Sequence, residues 1–164
     1  MIPDLPEQLI EQAEHLLRDT PPTQANIRRA VSSAYYGLFH LLIRDAVLNW
    51  RQPDLHDRLA RAFDHRRMKE ASSTLLRELG SPQRTAVPES DHPHRASLSR
   101  VARAFVELQD ARHKADYDVG EEFEPAEASN AVEQARQAFA AWMEVREESI
   151  AQPYLYSLLF RERV

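Results

Sequence analysis

Apolar residues in this chain return every three or four positions, the spacing of one helical face, and almost nowhere alternate as in a strand. The first such run, Leu5 to Asp19, repeats at Leu5, Leu9, Ala13 and Leu16/Leu17, with Asp4 as N-cap and Pro6 in the first turn, and Thr20-Pro21-Pro22 stops it. From Thr23 to Trp50 the rhythm runs through Ile27, Val31, Ala34, Leu38 and Leu41, and Tyr35, Phe39 and Leu42 widen it to more than half the circumference. A surface helix carries one apolar stripe, so this width predicts a central helix packed on several sides. Asn49 to Pro53 breaks the pattern, and Asp54 caps a short helix with Leu55, Leu59 and Ala62/Phe63 on one side. Residues 64–79 continue that helix or begin another, with Met68, Leu75, Leu76 and Leu79 inward and Gly80 as the stop.

Residues 81–96 hold three prolines and no apolar rhythm, so they read as an exposed loop. A helix from Ser97 to about Arg112 buries Leu98, Val101, Phe105 and Leu108, and a last long one, Ala126 to Glu148, stacks Ala128, Val132, Ala135, Phe139, Trp142 and Val145. The predicted fold is all-α, an up-and-down bundle of about five main helices over residues 1–149. Residues 150–164 form a short helical tail whose Tyr154, Leu155, Leu158, Leu159 and Phe160 must fold onto the bundle or meet a partner.

At 164 residues the chain is long enough for one domain with a full core. It has no cysteine, which removes disulfide and thiolate chemistry and suits a reducing cytoplasm. No apolar run is long enough to span a bilayer and the N-terminus is not a signal peptide, so a soluble cytoplasmic protein without membrane contact is expected. The net charge of −5 gives no global attraction to nucleic acid, so any such binding needs a local basic patch. Asp91-His92-Pro93-His94 offers metal-ligand residue types without a rigid spacing, and the acids of 121–127 lack the Glu-x-x-His partner of di-iron bundles. No metal and no cofactor is expected.

Two polar clusters interrupt the apolar pattern. On the central helix Arg29, Ser33, Tyr36 and His40 follow at spacings of four, three and four and line one row. That row is either a buried network fixing helix register or a binding face. At the end of the 97–112 helix, QDARHKADYDV gathers Arg112, His113, Lys114, Asp116 and Tyr117. Arg112 and Asp116 stand one turn apart and can pair.

RRAVSSAYYGLFHLL at 28–42, then ARHKADYDV at 111–119, then a long Ala-rich helix, together resemble the HEPN superfamily of small helical proteins, in its prokaryotic branch with an R-x-x-A-D-Y motif. The resemblance spans roughly residues 5–148. It implies a helical bundle that forms a homodimer, binds RNA or a nucleotide, serves in toxin–antitoxin or defence systems, in some members beside a nucleotidyltransferase partner, and in some members cleaves RNA without metal between two protomers. Active members place a His four to six residues after the Arg. The usual form is R-N-x-x-x-H-x-Y; with the Tyr of that pattern on Tyr117 the His position falls on Ala115, so the family's His is missing there and endoribonuclease activity would have to use other residues.

Metal-free RNA cleavage needs a base for the 2′-hydroxyl, a cation for the phosphate and an acid for the leaving oxygen. His40, Arg112 and His113 are the catalytic candidates, and Arg29, Tyr36, Lys114, Asp116 and Tyr117 the ligand-binding ones. The alternative reading of His40 is a core imidazole held by one neighbour. The alternative for the whole chain is a non-enzymatic helical adaptor that binds a partner protein through its dimer face or its tail.

Overall fold

A computed structural model describes residues 4–80 and 92–160. Among the described residues there are seven α-helices and no strand: α1 (Leu5–Leu16), α2 (Gln24–Leu48), α3 (His56–Ala60), α4 (His65–Leu79), α5 (His92–Tyr117), α6 (Pro125–Val145) and α7 (Ala151–Leu159). The architecture is an all-α helical bundle. Five helices are long and α3 is a single short segment, as the apolar rhythm predicts.

Local chemistry fixes the starts. The Thr23 side chain accepts from the Asn26 backbone N–H at 3.2 Å, and Asp64 accepts from that of Arg67 at 3.0 Å. Glu124 and Glu127 form a reciprocal capping box at the head of α6, with Pro125 in its first position. The Asp64 cap also decides the question left open by the sequence: α4 begins anew after α3 instead of continuing it.

α2 is the central rod. It touches α1, α3, α5, α6 and α7, and its Leu38, Leu41, Leu42 and Tyr35 have no solvent exposure. α1 lies close because residue 37 is glycine: a Cβ there would stand 2.6 Å from Ile10 Cδ1 and 3.2 Å from the Pro6 carbonyl oxygen. Near its C-terminal end, Asp45 accepts from the Trp142 indole N–H at 2.7 Å and pairs with Arg44 at 3.2 Å, tying α6 to α2. The fully buried indole thereby keeps its one donor satisfied.

The apolar tail folds back. α7 packs on α4, burying Tyr154, Leu155 and Leu158, and the Tyr154 hydroxyl meets Ser72 at 2.9 Å. Arg67 donates to the Leu159 carbonyl at 2.5 Å and holds the far end. Tyr156 and Phe160 remain exposed, with ring centroids 4.8 Å apart.

Several boundaries differ from expectation: α1 ends at Leu16, not Asp19, and α5 runs on to Tyr117. α5 starts at His92, not Ser97, because Pro93 sits in the first turn, where its missing N–H leaves no hydrogen bond unmade. Residues 81–91 of the expected loop lie outside the described residues. α6 ends at Val145, three residues early, in turns that lead directly into α7.

Candidate functional site

The last turn of α5 docks on a row of α2 made of Arg28, Ser32 and Tyr36. Residues four apart in a helix drift by only about 40° per step, so these three side chains reach one neighbour in succession. Arg28 donates to the carbonyl oxygen of Ala115 at 2.8 Å and to that of Glu121, with its guanidinium carbon 5.3 Å from the centre of the Phe123 ring. A cation on the exposed carbonyls of a helix C-terminus satisfies groups the helix cannot pair and opposes its dipole. Ser32 donates to Asp116 Oδ1 at 2.5 Å, and the Tyr36 hydroxyl accepts from Arg112 Nη2 at 3.0 Å. Gln24 completes the docking by bonding both the N–H and the carbonyl of Phe123, at 3.0 and 2.7 Å.

Arg112 is the hub. Its guanidinium carbon lies 5.5 Å from the Tyr35 ring centre and 5.3 Å from that of Tyr36, within cation–π reach of both. Its Nε stands 3.3 Å from Asp116 Oδ2, near enough for an ion pair but off the line of a hydrogen bond. The Arg112 side chain keeps only 12% of its surface, so the cation is pinned by rings and partners before any ligand arrives. Burial opposes its charge, while the Tyr36 hydrogen bond and the Asp116 carboxylate favour it, and the balance raises its pKa.

Beside this hub stand two half-buried imidazoles. His40 stacks on Tyr36 at 6.3 Å and meets Phe39 edge-on at 5.2 Å. His65, the first residue of α4, stacks on Phe39 at 4.2 Å and shares a 2.7 Å hydrogen bond through Nδ1 with the Tyr35 hydroxyl. Burial lowers the pKa of both, and the Arg112 charge lowers that of His65 further. Both rings are therefore neutral at pH 7, suited to accepting a proton or donating a neutral hydrogen bond and poorly suited to act as acids.

Arg112, Asp116 and Tyr36 are thus brought together, with His40 at the edge of the same cluster. The other candidates lie elsewhere. Arg29 is exposed, and Ser33 is buried against Gln12 of α1 at 3.1 Å. The polar row that meets α5 is displaced by one residue from the 29/33 row. His113 is exposed with its ring 4.9 Å from Tyr117, and its contacts share no residue with those of His40. Lys114 pairs with Glu121 at 2.5 Å and leans on Phe123. Two shallow surface grooves, of about 600 and 410 Å³, both include Lys114, and neither is lined by Arg112, Tyr36 or His40.

His65, Arg28 and Ser32 escape a reading of the sequence for different reasons. Nothing in the spacing from His65 to any motif signals a contact across 30 residues with Tyr35. Arg28 and Ser32, in contrast, are visible as an i, i+4, i+8 row with Tyr36. Among the described residues no group of three or more His, Asp or Glu side chains stands together to hold a metal ion. Comparison with protein families, curated proteins and solved structures finds no match to this chain.

Proposed function

We propose that this chain is a HEPN-type, RNA- or nucleotide-binding protein of a toxin–antitoxin or defence system, working as a homodimer, with the Arg112 cluster as its phosphate-binding centre. The observation that carries the reading is the convergence of two polar segments 76 residues apart in sequence, Arg112 on Tyr36, beside two neutral imidazoles. A guanidinium fixed by a hydroxyl, a carboxylate and two rings presents its remaining N–H groups in a set orientation, which is what recognition of a phosphate requires. Each group has one task. Arg112 holds a phosphate oxygen and Asp116 holds Arg112, while Tyr36 and His40 border the bound backbone. Where cleavage follows, neutral His40 takes the proton of the 2′-hydroxyl as its oxygen attacks phosphorus, the bond from phosphorus to the 5′-oxygen breaks to leave a 2′,3′-cyclic phosphate, and the departing 5′-oxygen takes its proton from solvent water. Ala115, at the position of the family's His, is 4% exposed, so an imidazole there would displace core atoms. His40 is the replacement the site offers. As the resemblance implies for a homodimer, a second copy of the chain would supply the opposite wall of the cleft.

The test is titration of labelled single-stranded RNA into purified protein at modest salt, beside Arg112→Ala and His40→Gln. The wild type binds, Arg112→Ala does not, and His40→Gln binds but loses any cleavage. Absence of binding by the wild type removes the reading. The adaptor alternative has less surface to work with, since α7 turns its large apolar residues inward and leaves Tyr156 and Phe160 outside.

A further inference from the structure

Tyr35 has no solvent exposure, and its hydroxyl bonds to the Nδ1 atom of His65 at 2.7 Å. Two proton arrangements satisfy that distance. If His65 carried its proton on Nδ1 and donated it, the phenolic hydrogen of Tyr35 would be left buried with no acceptor, an arrangement that folded proteins avoid. If Tyr35 donates, both groups are satisfied, and the single proton of the neutral imidazole stands on Nε2. Burial raises the pKa of Tyr35, which keeps the phenol protonated and able to donate. The ring is clamped in this orientation by Phe39, stacked on its face at 4.2 Å with 28° between planes. Because Nδ1 faces the buried phenol, Nε2 lies on the opposite edge of a half-exposed ring. The charged and titratable groups acting on it are Arg112 of α5, His40 of α2 and Asp64 beside it in sequence.

We propose that Tyr35 is a positioning residue that locks His65 as an Nε2–H donor, and that His65 is a second recognition group, beside Arg112, for an anionic phosphate oxygen. The inference rests on the phosphate-binding reading of the Arg112 cluster. It adds to it a neutral donor that a histidine free to change tautomer would supply only part of the time. A neutral donor next to a cation also lets the site take a phosphate monoanion without gathering a second positive charge in a half-buried place.

Nitrogen-detected NMR of the histidine side chains reads the tautomer directly. In the wild type at neutral pH His65 shows the Nε2–H pattern, and in Tyr35→Phe, which keeps the ring packing, it shifts to a mixture of tautomers. Inorganic phosphate moves the His65 Nε2 resonance in the wild type. An Nδ1–H tautomer, an unchanged spectrum in Tyr35→Phe, or no response to phosphate overturns the proposal. A functional readout uses the geometry of amides: His65→Gln places an N–H near Nε2 and His65→Asn places one near Nδ1. The Asn variant binds labelled RNA about tenfold more weakly than the Gln variant, the loss of one hydrogen bond to a charged group. Equal affinity of the two variants overturns the donor role. If the wild type binds no RNA and its His65 still responds to phosphate, the nucleic-acid reading falls and the tautomer lock stands.

Discussion

The contact between Arg112 and Tyr36 joins the two polar segments, and its strength can be worked from the geometry and measured without knowing a ligand. Arg112→Ala removes the 3.0 Å hydrogen bond to the Tyr36 hydroxyl, two cation–π contacts and the ion pair to Asp116. A hydrogen bond to a charged group contributes about 1.5–3 kcal/mol when sealed from water, and each ring contact about 0.5–1. Both must be discounted. The Asp116 side chain is 28% exposed and Tyr36 is half-buried, so water replaces part of what is lost. Removing the guanidinium also removes the cost of its own burial. A net destabilisation of about 2 kcal/mol remains, which in a chain of this length lowers the thermal midpoint by roughly 4–8 °C. Tyr36→Phe keeps the ring and deletes only the hydroxyl, so a double-mutant cycle of Arg112→Ala with Tyr36→Phe isolates the hydrogen bond. The expected coupling is about 1 kcal/mol by urea denaturation. A coupling within error of zero would refute the docking of α5 on α2 described above, and with it the preorganised cation.

Gly37→Ala sets a methyl 2.6 Å from Ile10 Cδ1 and against the Pro6 carbonyl, and destabilises by about 1–3 kcal/mol despite alanine's better helix propensity; denaturation of the variant with and without Ile10→Val shows partial recovery if the close approach is the cause. Leu158→Ala costs about 2–5 kcal/mol and Tyr154→Phe about 1, since the first opens a cavity under α7 and the second removes one buried hydrogen bond to Ser72; equal, negligible effects in denaturation curves would mean the tail does not dock in solution. His40 and His65 both have folded-state pKa values below the ordinary value of about 6.5, so the unfolded chain takes up protons first as pH falls. Stability is full above about pH 6.5 and declines below it toward the lowered folded-state values; thermal midpoints measured from about pH 7.5 to about pH 5.5 fall, and fall less in His40→Asn and His65→Asn. Tyr117→Ala leaves the unfolding free energy within about 0.5 kcal/mol of wild type in urea denaturation, because the ring is 65% exposed, while weakening RNA binding if the ring borders the cleft.

How far the sequence discloses this molecule depends on which force sets each feature. Apolar burial acts through spacing, so α2, α5 and α6 can be read from residues such as Leu38, Phe105 and Trp142, which end in the core. Their ends depend on single turns. Pro93 reads as a loop residue, yet the first turn of a helix is the one place that tolerates it. The polar row was legible to within one residue. Arg29 and Ser33 share a spacing with Tyr36 and His40, but so do Arg28 and Ser32, and only the neighbouring helix decides between them: α1 takes Ser33 through Gln12, and α5 takes Ser32 through Asp116. His65 could not be found at all. It reaches the site because the turn at residues 61–64 between α3 and α4 brings the first residue of α4 over Phe39, and that meeting is set by tertiary packing alone.

The spacing of the segment R-x-x-A-D-Y follows from this docking before any function is asked of it. Arg112 meets Tyr36, the carbonyl of Ala115 meets Arg28, and Asp116 meets Ser32, each one turn of α2 from the next. Ala115 must be small because its side chain is 4% exposed. A purely structural origin therefore accounts for Ala115 and Asp116, and for a hydrogen-bond donor of some kind at position 112. It does not account for Tyr117, which is turned to solvent, nor for the placing of an arginine, where a neutral donor would satisfy Tyr36 without the cost of burying a charge beside two uncharged imidazoles. A positive centre buried at that cost, with neutral rings around it, is the arrangement that the proposed binding of an anionic ligand would account for.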